Sequence, residues 1–517
     1  MSGKAFVTPD IIYMNELNKF EEVCTEGSDI VNFLKAKTVF LTGATGFLGK
    51  ALVEKLLRSC EDLDTVFILC REKKGKDIHT RVDEMYNDVF FNRLNQAQPK
   101  FRHKIRAIKG DVSFPGLGIS EEDRKLITSK TNIILHVAAT VRFDEKINLA
   151  VDINVKGTKE MLMLGRECKH LQSFVHVSTA FSNCHMYNIE EKLYKPPFRT
   201  EEIISLVQSK SDEELEKLTP SLLSQWPNSY AFTKAIAEGT VEEYRDDLPI
   251  CIFRPAVVVS SYKEPIRGWI DNVYGPTGVI TGAGVGILKT LHCNGSSIAE
   301  IVPIDYVVNG IISAAYKTAV TKSENLPIYN FVQSRDNPIT WQDFCTMNKK
   351  YGLHVPVMQA VWYYSLTLNR NKYMHLLYTL FLHFIPALLI DFSCIVVGKK
   401  PQFMKVYKKI HKFTKVITYF SMGAWSFKDE RTKEMWNNLS NKDKEIFPFD
   451  MRSIDWDYHS QMNTMGIRSY LMKEDPSTLP EARKKWMKLF ILHNTLKGLF
   501  AFVVLRVAYG VLVSLII

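Results

Sequence analysis

Tyr230 and Lys234 stand four residues apart in the run Asn228-Ser229-Tyr230-Ala231-Phe232-Thr233-Lys234. On a helix that spacing puts a phenol and an ammonium on one face. A free phenol, with a pKa of about 10, is a poor acid at neutral pH. A neighbouring ammonium stabilises the phenolate and lowers that value, so the tyrosine can give its proton to an alkoxide as it forms. Ser178 and Thr179 follow directly on the apolar run 173–177. Hydroxyls at the carboxyl end of a strand sit where an open α/β sheet keeps its chemistry. Thr179 is expected to hold a substrate carbonyl in line for reduction. The expected catalytic set is Tyr230, Lys234, Thr179 and Ser178. Tyr-x-x-x-Lys alone is common on surface helices, so the assignment depends on what else the chain supplies.

It supplies a nucleotide loop. Residues 37–50 read KTVFLTGATGFLGK: a β-branched and apolar run, three spaced glycines, then apolar residues at helical spacing. Strand, glycine turn and helix in that order form the context of a dinucleotide site. Gly43 permits the tight turn, Gly46 lets backbone approach a pyrophosphate, and Gly49 lets the helix pack closely on the strand. Thr45, Phe47 and Leu48 complete the loop, whose free N–H groups at the helix start suit phosphate charge. The G-x-x-G-x-x-G spacing resembles the extended short-chain dehydrogenases/reductases.

The elements that must position these groups follow in order. A second strand is expected over 65–70, ending in Arg71, with Lys73, Lys74 and Arg81 close behind. NAD-selective sites usually place an acid there to bind the ribose 2′-hydroxyl. A guanidinium suits the 2′-phosphate of NADPH instead, so Arg71 and Arg81 point to NADPH. A third strand, 105–108, leads to Asp111 and Val112. The resemblance implies that an acid at this strand end contacts the adenine edge. The fourth strand, 132–137, is a continuous apolar run, as a sheet covered on both faces requires. It ends in Ala138 and Thr140, small enough for a cofactor to lie against backbone. A helix is expected over 151–168; the superfamily resemblance gives its Asn154 a role in supporting the site, and a satisfied polar group within the helix is the equal alternative. A sixth strand, 250–253, precedes Pro255, which resembles the turn beside the nicotinamide carboxamide.

At 517 residues the chain is too long for one ordinary core. The net charge of +10 is compatible with nucleic acid, an anionic membrane or an anionic substrate. No nucleic-acid-binding signature accompanies it, so no nucleic-acid partner is expected. Nine cysteines without CxxC pairs point to reduced thiols facing the cytosol, with neither a disulfide framework nor a metal site.

Six segments carry a closer resemblance: TGATGFLGKALVEKLLRSC, ILHVAATVRFDE, HVSTAFSNC, PNSYAFTKAIAE, FRPAVVVSSYKEPIRGWIDNVYGPTG and IVPIDYVVNG. Together they resemble the eukaryotic fatty acyl-CoA reductases, the insect branch in particular, from about residue 30 to the end. The resemblance implies NADPH-dependent reduction of a long-chain or very-long-chain acyl-CoA to a primary alcohol with release of CoA. A membrane-bound sterol dehydrogenase would share the glycine loop and the Tyr-Lys pair. A non-catalytic lipid scaffold would have no need of the intact Thr179, Tyr230 and Lys234 set. The expected fold is α/β, a Rossmann-like doubly wound parallel sheet, with a C-terminal helical domain and a C-terminal membrane segment. The expected domains are a lead-in (1–36), a reductase domain (37–350), a helical domain (360–452) and an anchoring tail (490–517). Gly278, Gly282, Gly284 and Gly286 leave room for the thioester or CoA arm, or form a flexible loop.

Residues 374–397 are rich in Leu, Ile and Phe but include His375, His383, Pro386 and Asp391, which are costly in lipid. The expectation is a buried or membrane-surface helix pair broken near Pro386, with a true span as the alternative. Seven lysines from Lys399 to Lys415 follow, suited to a solvated face or to anionic headgroups. Residues 498–517 are apolar except for Arg506 and Ser514, long enough to span a bilayer; the alternative is a tail lying on the protein or in the interface. The basic residues Arg483, Lys484, Lys485 and Lys488 before them keep the catalytic body on the cytosolic side. Endoplasmic reticulum is the expected membrane, with peroxisome and lipid droplet as alternatives.

Overall fold

The computed structural model describes residues 23–73, 75–246, 248–321 and 325–516. Most of the lead-in, Lys74 and Ile517 lie outside the described residues. Seven parallel strands form the central sheet: β1 (Thr38–Thr42), β2 (Thr65–Cys70), β3 (Ile105–Lys109), β4 (Ile133–His136), β5 (Ser173–Val177), β6 (Ile250–Pro255) and β7 (Ile328–Phe331). Their spatial order is β7-β6-β5-β4-β1-β2-β3. The order reverses between β1 and β4, which opens a ligand crevice at the carboxyl ends of those two strands. Leu41 pairs with Leu135 and Thr42 with His136 across that junction. The Thr42 hydroxyl accepts from the N–H groups of Val137 and Ala138, at 3.2 and 3.1 Å, and so ties the two strand ends together.

Helices cover both faces. α1 (Phe47–Ser59) follows the glycine turn and buries Leu52, Val53, Leu56 and Leu57. The helix expected over 151–168 starts earlier. α2 runs through Ile147–Val151, a π turn at Asp152–Lys156, and Gly157–Glu167. A π turn inside a helix often marks a functional site, and this one holds Asn154. α3 (Ser229–Tyr244) carries Tyr230 and Lys234, its N-terminus capped by the Asn228 side chain.

The glycine-rich segment after residue 274 is not a loop. It forms α4 (Gly275–Val285), ended by Gly286 in the left-handed region at φ 84°. A Cβ at Gly278 would lie 2.9 Å from the Phe413 ring, so the small residue lets another helix come close. α5 (Ile304–Val320) and α6 (Trp341–Gly352) complete the body.

The C-terminal part holds α7 (Lys372–Val396), α8 (Phe403–Met422) and α9 (Leu479–Ile516). α7 is not broken near Pro386. A π turn at Leu380–Phe384 precedes the proline, and this wider turn accommodates the missing N–H and the ring without ending the helix. Beyond α8 the chain returns to the body. Ser426–Phe427 pairs in parallel with Asn188–Ile189. Phe427, Met435, Phe447 and Phe449 are buried in the same apolar core as Val39, Leu41 and Leu52. Asp443 accepts from the Ser28 hydroxyl at 2.5 Å and from the Ile30 N–H at 3.1 Å, more than 400 residues upstream. The reductase and helical segments thus share one core. All nine cysteines are free thiols.

Candidate active site

A cavity of about 1070 Å³ runs from the glycine turn, past the Tyr-Lys helix, to a wall of apolar side chains. Every residue expected to bind cofactor lines it except Asn154, and all four expected catalytic residues line it.

At the nucleotide end Gly43 adopts φ 77°, and a Cβ there would meet the Ala138 nitrogen at 2.9 Å. A Cβ at Gly49 would stand 2.1 Å from the Gly43 carbonyl oxygen. The turn is therefore held open and flat by glycine at both positions, as a pyrophosphate cradle requires. Trp269 supports it from behind, stacked on Phe47 with ring centroids 5.2 Å apart. Arg71 pairs with Asp111 at 3.0 Å and stays half-exposed. Arg81 donates to the Thr45 hydroxyl at 2.8 Å and to the Arg71 carbonyl. Two guanidiniums thus stand over the end of β2, where the adenosine ribose of a dinucleotide lies. The Asp111 carboxylate already serves the protein, accepting from the Ser113 N–H and hydroxyl as well as from Arg71. Burial works to raise its pKa, but these donors hold it below the usual carboxylate range.

Asn154 acts one step back from the cavity. Its amide oxygen accepts from the Thr140 N–H at 2.9 Å, and its nitrogen donates to the Thr140 carbonyl and to the Thr233 hydroxyl. It therefore fixes the loop after β4 against α3, between Tyr230 and Lys234.

At the centre, Lys234 is buried, and its ammonium donates to the Val177 carbonyl at 2.8 Å. Burial pulls its pKa down to about 8, against the opposing field of Glu238. The Tyr230 hydroxyl is pushed the other way, up to about 12, by burial; its hydrogen bond with Thr179 works against that rise. The sequence led us to expect a phenol made more acidic by the lysine. In this geometry the ammonium is engaged by backbone, and desolvation outweighs any such help. Ser178 faces a different partner: its hydroxyl donates to Glu238 at 2.5 Å. Glu238 forms a two-pronged ion pair with the fully buried Arg254, at 2.9 and 2.6 Å. Arg254 also donates to the carbonyls of Glu190 and Lys192. This network escaped the sequence reading, although Glu238 lies one helical turn beyond Lys234.

The far end is apolar. α4 supplies Val279 and Ile280, α6 supplies Phe344 and Cys345, and α8 supplies Phe413, Val416, Ile417 and Phe420. Lys409 and Lys412 stand on the α8 side. Only the pattern of α8, a lysine-rich helix with apolar residues between, hinted at such a role. Among the described residues no group of His, Cys, Asp and Glu is placed to hold a metal ion.

Two family models match, both described as male sterility protein. The NAD-binding one covers residues 41–311 and the second covers residues 382–474. A fatty acyl-CoA reductase of Drosophila melanogaster is 41% identical over 94% of this chain and 95% of its own length. Fatty acyl-CoA reductase 1 of Homo sapiens is 38% identical over 89% of each chain. The reductase domain of a Mycobacterium tuberculosis nonribosomal peptide synthetase shares the fold, with a TM-score of 0.54 at 17% identity over 89% of this chain and 97% of its own.

Proposed function

The chain belongs to the fatty acyl-CoA reductases of the male sterility protein family, and on that premise we propose that it reduces long-chain or very-long-chain fatty acyl-CoA to primary alcohol with NADPH, releasing CoA. One observation carries the reading of the site. A single cavity joins a glycine cradle to an apolar chamber, with Thr179, Tyr230 and Lys234 at the junction. A fatty acyl thioester has its reactive carbonyl between a polar arm and a long apolar chain, and that cavity is divided in the same way.

The glycine turn, Arg71 and Arg81 fit a phosphorylated dinucleotide, and they would hold its pyrophosphate and 2′-phosphate. When bound, its nicotinamide supplies a hydride, first to the thioester carbonyl carbon and then to the aldehyde carbon. Thr179 and Tyr230 hold the carbonyl oxygen, and Tyr230 gives it a proton as negative charge develops. Lys234 supplies positive charge to the phenolate left behind. Asn154 fixes both the Thr140 loop and α3, so the acid keeps its distance from the crevice. Ser178 serves as a positioning residue through Glu238 and Arg254. As the first tetrahedral adduct collapses, its hydroxyl proton returns to the Tyr230 phenolate, the carbon–sulfur bond breaks, and CoA departs as a thiolate that takes a proton from solvent; after the second reduction the phenolate is reprotonated from solvent.

The tail helix α9 and the lysines ahead of residue 490 support a membrane-bound enzyme whose body faces the cytosol, with endoplasmic reticulum as the proposed membrane. The test is incubation with palmitoyl-CoA and NADPH while free thiol, NADPH loss and hexadecanol are followed together. The expected result is two equivalents of NADPH per thiol, with alcohol as product. Oxidation of a sterol alcohol without thiol release would replace this reading with that of a membrane-bound sterol dehydrogenase.

A further inference from the structure

We propose that α7 and α8 lie flat in the cytosolic leaflet of an anionic bilayer, and that fatty acyl chains pass between that leaflet and the cavity along α8. α7 holds to the protein by one stripe, Thr379, His383, Ala387 and Asp391, all buried and spaced four residues apart. His383 accepts from the Lys289 N–H at 2.9 Å and faces His411 of α8 at 3.2 Å. Asp391 caps α8, accepting from the N–H groups of Gln402, Phe403 and Met404 at 2.9 Å each. The polar side chains that looked costly in lipid are therefore turned inward.

The rest of α7 is apolar and uncovered. Leu388, Leu389, Phe392 and Val396 are 61–70% exposed. A contiguous surface of that kind marks an interaction site, and its surroundings say which. Lys399 and Lys400 follow α7, and Lys405, Lys408, Lys409 and Lys415 are exposed on α8. An apolar face flanked by lysines matches the boundary between acyl chains and anionic headgroups. α7 meets α8 at both His383 and Asp391, so crossing the bilayer would draw α8 lysines into hydrocarbon, which is costly. The anchoring tail leaves from the same side. Lys289, bonded to His383, lies 5.0 Å over the Trp362 ring, and Trp362 donates to His493 of α9 at 3.0 Å. Phe413, Val416, Ile417 and Phe420 of the same α8 line the cavity. One helix thus borders both the leaflet and the acyl chamber.

The access route rests on the acyl-CoA reductase reading, whereas the membrane contact does not. The test uses full-length protein on vesicles of phosphatidylcholine and phosphatidylserine. A Leu389→Cys variant, in a background with Cys24→Ser and Cys394→Ser, carries an environment-sensitive fluorophore. The expected label is blue-shifted, quenched by nitroxide on lipid chains and protected from iodide. A Lys400→Cys label is expected to stay accessible from outside sealed vesicles. Iodide quenching at position 389, or burial of the position 400 label in the vesicle lumen, overturns the in-plane contact. For the route, a Leu388→Glu/Leu389→Glu variant should raise KM at least about tenfold for palmitoyl-CoA held in vesicles, given the cost of acidic side chains in lipid. Turnover of palmitoyl-CoA presented on serum albumin without vesicles should be unchanged. Equal loss in both presentations, or no loss in either, overturns the route. Absence of palmitoyl-CoA reduction by the unaltered enzyme in both presentations would instead count against the reductase reading.

Discussion

The ring of Phe143 stacks on that of Tyr230, with centroids 5.7 Å apart and planes 22° from parallel. Phe143 also meets Phe420 of α8 at 5.2 Å, and the adjacent Asp144 pairs with Lys412 of α8 at 2.7 Å. The proposed acid is therefore steadied by a helix nearly 200 residues further along the chain. Truncating Phe420 to alanine should lower kcat for palmitoyl-CoA by up to about tenfold, the equivalent of one aromatic contact of about 0.5–1.5 kcal/mol. The KM for NADPH should stay unchanged, and Phe420→Tyr should recover most of the rate. A parallel rise in the NADPH KM would make Phe420 a residue of general stability.

Tyr230→Phe should retain NADPH binding and lose nearly all alcohol formation, because the phenol acts as charge develops and adds little to ground-state binding. Fluorescence titration of NADPH beside product analysis separates the two. Turnover like that of the unaltered enzyme would remove Tyr230 from the mechanism.

Arg71→Ala should raise the KM for NADPH by roughly 10- to 150-fold, the equivalent of one charge-assisted contact of about 1.5–3 kcal/mol. Weak use of NADH should barely change. Arg81→Ala should injure both cofactors, because Arg81 also fixes Thr45 of the glycine loop. If Arg71→Ala weakened NADH equally, the 2′-phosphate assignment would fall.

With its pKa lowered to about 8, Lys234 is charged below that pH and neutral above it in the free enzyme. The phenolate needs that charge, so kcat/KM for NADPH should fall as pH rises through about 8. Stability should move the other way. Between about 8 and the ordinary value of 10.5, the unfolded chain holds a proton that the folded chain has lost. This lysine therefore favours folding more as pH rises through that window. Lys234→Met should abolish the stability gain, and a kcat/KM profile flat to pH 10 would contradict the role.

Deleting residues 490–517 should move the protein from the carbonate-resistant membrane pellet to a loosely held fraction. The residual binding, through the α8 lysines, should fall with salt. Reduction of soluble acyl-CoA should persist. Full-length protein stripped by carbonate would refute anchoring by the tail.

The sequence was most informative where structure is local. The glycine turn, the strand ends at Arg71 and Thr179, and the Tyr230–Lys234 spacing depend on neighbours within a few residues, and each lies where its pattern implied. Asn154 is legible as a helix residue, but the π turn around it and its bonds to Thr140 and Thr233 are not, since those partners lie far from it along the chain. The apolar wall was hidden for another reason. Phe143, Phe181 and Phe420, all lining the cavity, read as ordinary apolar residues until chain return brings α8 over the crevice. Pro386 misled in the opposite direction, since a helix break was the simplest outcome and a π turn was the actual one. The division into reductase and helical segments followed a real change in composition, but composition does not reveal that Phe427 and Phe447 fill the same core as Val39.

Among the described residues α9 touches the body near its start alone, where Trp486, Phe490 and His493 pack against Trp362 and Tyr363. From Asn494 through Leu512 its side chains are exposed, covered by no other part of the chain among the described residues. A stretch with no jigsaw to preserve has no tertiary packing to lose. Substitutions there that keep its length and apolar content leave the folded body as it was.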